Sequence, residues 1–132
     1  MIKLKQLFVI IFLSILILGC GGKGSSVTGM VRFGDGTPLT AGTVLFESGQ
    51  HSFSGNIRND GTFQMTGDSV KSGLPDGTYA VAVVRAIETS TDSDGNPTAR
   101  DLIDTKFAQT KTSELTCTVK GKTIFDIKVT KP

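Results

Sequence analysis

Tryptophan is absent from this chain of 132 residues, which carries one tyrosine, Tyr79, one histidine, His51, and two cysteines, Cys20 and Cys117. So short an inventory leaves few side chains able to act as a base, a nucleophile or a soft metal ligand. Zinc sites need closely spaced Cys and His, and that spacing does not occur; neither does a Ser/His/Asp constellation or a glycine-rich phosphate loop. An enzyme is not expected, and neither is a bound metal or other cofactor. Carbohydrate sites ordinarily use exposed aromatic rings as stacking platforms, and Tyr79 sits inside an apolar run. Positive charge is also sparse. Of the 14 Lys and Arg, Lys3 and Lys5 precede Cys20, and the other 12 are balanced by 12 Asp and Glu. That balance provides no basic footprint, so nucleic acid is excluded as a partner.

What the chain does have begins at its N-terminus. Lys3 and Lys5 are followed by an apolar run from Leu7 to Leu18, and Ile17-Leu18-Gly19-Cys20 closes it. A spanning helix needs roughly 20 apolar residues, whereas the core of a secretory leader runs about 7–15. The arrangement resembles bacterial lipoprotein signal peptides, with Ile17-Leu18-Gly19-Cys20 as the lipobox. The resemblance implies that residues 1–19 are removed. It also implies a diacylglycerol on the Cys20 thiol and an acyl chain such as palmitate on its new amino group. Each buried methylene contributes about 0.8 kcal/mol and a single chain holds only marginally, so two or three chains make a lasting anchor. The expected location is the cell envelope, lipid-anchored to a membrane through Cys20. Gly21 stands where an aspartate signals inner-membrane retention in some bacteria, which favours the outer membrane in a two-membrane cell.

Cleavage leaves 113 residues, enough for one domain. Gly21-Gly22-Lys23-Gly24-Ser25-Ser26 has the composition of a flexible tether, about 13 Å long on average. The domain is expected over residues 27–132. With Cys20 lipidated, Cys117 has no intramolecular partner. Leu115, Cys117 and Val119 alternate with Thr116, Thr118 and Lys120, which points Cys117 into a core as a small hydrophobe.

The rest reads as short alternating segments punctuated by Gly, Asp and Pro, without a helical apolar period. Seven strands are expected, carried by Val27–Phe33, Val44 and Phe46, Phe53–Ile57, Phe63 and Met65, Tyr79–Ile87, Leu115–Val119 and Ile124–Val129. Asn59-Asp60-Gly61 is expected to turn the third strand into the fourth, because Asp-Gly supplies the positive φ of tight hairpins. Lys120-Gly121-Lys122 is expected to close a final hairpin, with Phe125, Ile127 and Val129 inward. The fold class is all-β, a seven-stranded antiparallel Greek-key-type sandwich. Glu88 to Ser113 exceeds the roughly 12–15 residues beyond which structureless loops become uncommon. It is expected to be either the functional surface or a mobile flap, with a helical turn at Asp101–Asp104.

Val27-Thr28-Gly29-Met30-Val31, Asp35-Gly36-Thr37-Pro38-Leu39, Ala41-Gly42-Thr43-Val44-Leu45-Phe46, Asn59-Asp60-Gly61-Thr62-Phe63 and Leu74-Pro75-Asp76-Gly77-Thr78-Tyr79 together resemble carboxypeptidase-regulatory-like domains, which are prealbumin-like sandwiches. The resemblance covers roughly residues 27–130 and implies a noncatalytic module. Lys106-Phe107 and Thr112-Ser113-Glu114-Leu115 resemble a Lys-Tyr-x-x-Pro-x-Thr-Ser-x-Leu stretch of small envelope lipoproteins, with Phe107 in the tyrosine position and no proline. Enzymes on related sandwiches do not fit. The transthyretin-like hydrolases and intradiol dioxygenases use more histidines or tyrosines than this chain has.

Asp92-Ser93-Asp94-Gly95-Asn96 is the most ligand-like run, since closely spaced carboxylate and amide oxygens suit calcium. Its spacing is not that of an EF-hand, and the same residues are ordinary turn formers, so a solvated loop is the plainer reading. Asp92, Asp94, Asn96, Asp101 and Asp104 are the candidate binding residues, on a segment expected to meet an envelope protein partner. The alternatives are calcium-dependent or carbohydrate binding, and a purely structural envelope role.

Overall fold

The computed structural model describes residues 25–49, 51–65 and 73–132. The expected leader, the lipidation residue Cys20 and the tether as far as Gly24 lie outside the described residues. Strands β1 (Ser26–Phe33), β2 (Thr43–Ser48), β3 (His51–Asn56), β4 (Thr62–Gln64) and β5 (Gly77–Val84) come first in the chain. They are followed by β6 (Ile87–Thr91), β7 (Pro97–Asp101), a 3-10 turn (Thr105–Ala108), β8 (Leu115–Val119), β9 (Lys122–Ile124) and β10 (Ile127–Val129).

The fold is an all-β sandwich. One sheet has β1 at its centre, with β4 on one side and β9 and β10 on the other; the second has the order β3-β2-β5-β8. Alternation explains the packing, because successive side chains on a strand point to opposite faces. Val27, Val31, Phe63, Ile127 and Val129 from the first sheet meet Val44, Phe46, Tyr79, Val81, Val83, Cys117 and Val119 from the second in one buried cluster. Central β5 buries Val81, Ala82 and Val83 in succession, as its apolar composition predicts. Cys117 is a free, buried thiol, and desolvation raises its pKa.

Several details depart from expectation. The last hairpin does not form. β8 pairs with β5, whereas β9 and β10 cross to the other sheet and run parallel to β1. Both keep one register, Ser26 against Lys122 and Val31 against Ile127, so they are a single strand interrupted at Phe125-Asp126. At the interruption the Asp126 carboxylate accepts from the Met30 amide at 3.1 Å. The sandwich thus has the seven expected strands, with the seventh parallel to the first. Asn59-Asp60-Gly61 does turn the chain, with Gly61 at φ +84, but it joins strands in different sheets and so forms a corner rather than a hairpin. The long strand stops at Val84, short of Ile87, because Arg85 adopts φ +58 and ends the ladder. The helical turn lies at Thr105–Ala108, with Asp104 as its N-cap.

The described chain begins two residues before Val27, and Ser25 and Ser26, expected in the tether, already belong to the sheet. Ser25 is buried, exchanges backbone hydrogen bonds with Leu74 at 3.0 and 2.8 Å, and its hydroxyl donates to Asp76 and accepts from the Gly121 amide. This clasp closes one end of the sandwich. Residues 102–113 pack down at the other end, where Ile103 and Phe107 join the core. The Ser113 hydroxyl donates to the Val81 carbonyl and that of Thr112 to the Lys106 carbonyl. The Lys106-Phe107 and Thr112-Ser113 residues therefore tie this loop to the sheet.

Candidate functional site at the hairpin end

The segment after β5 is half anchored and half free. Residues 87–101 form a hairpin, β6 against β7, paired from Ile87 with Asp101 to Thr91 with Pro97. Every residue of both strands is exposed. An isolated two-stranded ribbon is marginal in water, and the cross-strand contacts here are modest. Glu88 and Arg100 form an ion pair with side chains 54% and 75% exposed, a setting in which such pairs contribute little. The hydroxyls of Ser90 and Thr98 lie 2.7 Å apart.

The tip is built by Asp92. Its carboxylate accepts from the amides of Asp94 at 2.9 Å and Asn96 at 2.8 Å, and from the Asn96 side chain at 3.3 Å. The Asn96 amide is the main cause that holds the Asp92 carboxyl below its ordinary value. Gly95 supplies the positive φ that closes the turn. Asp94 is exposed at the same tip.

The other two candidates lie elsewhere. Asp101 is at the hairpin base, opposite Ile87, and the Asp104 carboxylate accepts from the Lys106 amide at 3.0 Å. Four ladder steps separate tip from base, about 13 Å at ~3.3 Å per residue. The fold therefore groups Asp92, Asp94 and Asn96, and keeps Asp101 and Asp104 apart from them. Among the described residues, no group of three or more His, Cys, Asp or Glu is placed to hold a metal ion. His51 opens β3 on the surface, stacked on Phe53 with ring centroids 6.3 Å apart.

A feature missed in the sequence lies at the hairpin base. An open groove of about 680 Å³ is lined by Phe33, Arg100, Asp101, Leu102, Lys131 and Pro132. A second, of about 450 Å³, continues past Phe33 to Arg32, Asp126 and Lys128. The Lys131 ammonium stands 5.8 Å from the Phe33 ring centroid, within cation–π range. An apolar floor with charges of both signs around it has the makeup of a protein-contact surface. The one local signal was Phe33 itself, the last apolar residue of β1 before a Gly-Asp-Gly turn. Lys131 and Pro132 arrive beside it only through the parallel pairing of Phe33 with Val129.

No family profile matches the chain, and no curated protein matches it. Solved structures do resemble it. A DUF3823 family protein from Bacteroides ovatus is 18% identical with a TM-score of 0.50, over 82% of this chain and 45% of that one. A DUF3823 family protein from Parabacteroides merdae is 21% identical with a TM-score of 0.43, over 81% and 46%. BcpA, the major pilin subunit of Bacillus cereus, is 11% identical with a TM-score of 0.47, over 82% and 30%. The chain spans less than half the length of each. At these identities the likeness is one of fold, a β-sandwich that also occurs in bacterial proteins.

Proposed function

We propose that this chain is a noncatalytic module of the bacterial cell envelope, lipid-anchored through Cys20, that presents its hairpin end to a protein partner. The observation that carries this reading is the β6–β7 hairpin, ten residues exposed on both faces. Such a ribbon adds nothing to the core, and ordering it costs conformational entropy. Exposed loops on a rigid scaffold are where recognition concentrates. Its position supports the same conclusion. β1 runs from the Ser25 clasp to Phe33, so the hairpin and the Phe33 groove lie at the end away from the point where the tether enters. The turn motifs that resemble carboxypeptidase-regulatory-like domains agree with a module that binds rather than catalyses.

The test is photo-crosslinking in intact producing cells from probes at Thr89 and Ala99, read by mass spectrometry. Both positions are expected to capture the same envelope protein. From a third probe, at Lys131, the same protein is expected, and replacing residues 88–100 with a short Gly-Ser turn should abolish that capture and leave thermal stability almost unchanged. Capture of unrelated neighbours, or capture that survives hairpin replacement from a probe at Lys131, would overturn the hairpin as the recognition element.

A further inference from the structure

We infer that the opposite end of the sandwich lies on the bilayer surface, with Ile124 entering the headgroup region and Lys120 and Lys122 against anionic lipid headgroups. This rests on the lipid-anchor reading and extends it to the orientation of the domain. Ile124 is 80% exposed, against 43% for Ile87, the other large exposed hydrophobic among the described residues. No packing contact among the described residues accounts for an isoleucine so uncovered.

Its position does. β9 pairs with the first residues of β1, Lys122 opposite Ser26 and Ile124 opposite Thr28. Lys122 and Ile124 are two apart on one strand and both exposed, while Thr123 between them is partly buried. The two side chains thus project from the same face, the combination in which an ammonium reaches headgroups while an apolar neighbour enters the interface. Lys120 and Lys122 flank Gly121, whose backbone is held by the Ser25 hydroxyl at 2.9 Å. Among the described residues the nearby carboxylate is Asp76, which is engaged by that hydroxyl and by the Gly121 amide at 3.4 Å. The platform is fixed, and its lysines are left to attract an anionic surface.

The tether supplies the constraint. Five peptide steps join Cys20 to Ser25, which reach no more than about 18 Å when fully extended. β1, with eight residues, is itself about 26 Å long. The acyl chains therefore keep the Ser25 end, with Ile124 beside it, close to the headgroups.

The absence of native tryptophan makes the test direct. Full-length protein carrying Ile124→Trp, and separately Ala99→Trp on the hairpin, is produced in a lipoprotein-processing host. Acylation of Cys20 is read by mass spectrometry. The protein is then reconstituted into vesicles of phosphatidylethanolamine and phosphatidylglycerol, with and without brominated acyl chains. Fluorescence from Ile124→Trp is expected to shift to shorter wavelength and to lose intensity with brominated lipid; that from Ala99→Trp should do neither. Adding Lys120→Glu and Lys122→Glu should abolish the Ile124→Trp quenching. Acylated protein without quenching overturns the orientation and leaves the anchor standing. Quenching that survives charge reversal overturns the headgroup contact. Recovery without acyl chains overturns the anchor and the inference together.

Discussion

The hydroxyl of Tyr79 donates to the carbonyl of Pro75 at 2.6 Å, and its ring packs against Phe46 and Phe53 with centroids 5.7 and 6.0 Å away. Desolvation raises its pKa, which keeps the donor proton in place. Tyr79→Phe preserves the ring contacts and removes one partly buried hydrogen bond. We expect a loss of about 1 kcal/mol in urea unfolding; no loss would show that the Pro75 carbonyl finds water instead. Asp92 is the other residue whose role is local. Its carboxyl is held below the ordinary 3.8 by the amides it accepts from. A depressed carboxyl contributes stability above its unfolded pKa, and that contribution is lost as pH falls through the folded value. The Asn96 amide resonance should therefore titrate with a midpoint below pH 3.8, and a midpoint above it would contradict the turn geometry. This turn was legible in the sequence, since its partners lie within four residues of Asp92. The calcium alternative was not decided there, because it depended on where Asp101 and Asp104 would fall.

Among the elements, β1 and its parallel partner leave no room for a side chain at Gly29. A Cβ on Gly29 would sit 1.8 Å from the Phe125 carbonyl oxygen and 2.9 Å from the Phe63 ring. The first of these is backbone and cannot swing aside. Gly29→Ala should cost about 3 kcal/mol, the upper part of the overpacking range, seen as a lower denaturation midpoint. An unchanged midpoint would mean that β9 and β10 detach from β1 at little cost. By alternation Gly29 shares a face with Val27 and Val31, yet the reason for a glycine there, the interrupted strand beside it, was not visible in the sequence. The β6–β7 ribbon was missed for a related cause. Its residues, Ile87-Glu88-Thr89-Ser90-Thr91 and Pro97-Thr98-Ala99-Arg100-Asp101, bury nothing, so they carry no apolar pattern for a reading of periodicity to find.

Over the whole molecule, one core couples the two sheets, and Cys117 reports on it. The thiol is 3% exposed, lies on β8 opposite Tyr79, and is kept protonated by burial. Modification by a thiol reagent should be slow in the native protein and should accelerate with denaturant in step with global unfolding. Fast labelling in native conditions would show that β8 opens on its own. The two ends of the sandwich are chemically different, a clasp at Ser25 with Ile124 beside it and an exposed ribbon with the Phe33 groove, and the proposed membrane and partner contacts divide between them.

The all-β class, the inward direction of Cys117, Ile127 and Val129, and the turn at Asn59-Asp60-Gly61 were legible in the residues themselves. These follow from alternation and turn chemistry, which act over a few residues. The parallel run of Ile124–Val129 along β1, the corner that Asn59-Asp60-Gly61 makes between sheets, and the groove that Phe33 shares with Lys131 emerge only in the assembled fold. Those outcomes depend on which backbone edge was free to pair, a property of the assembled sheets that no local pattern of side chains encodes.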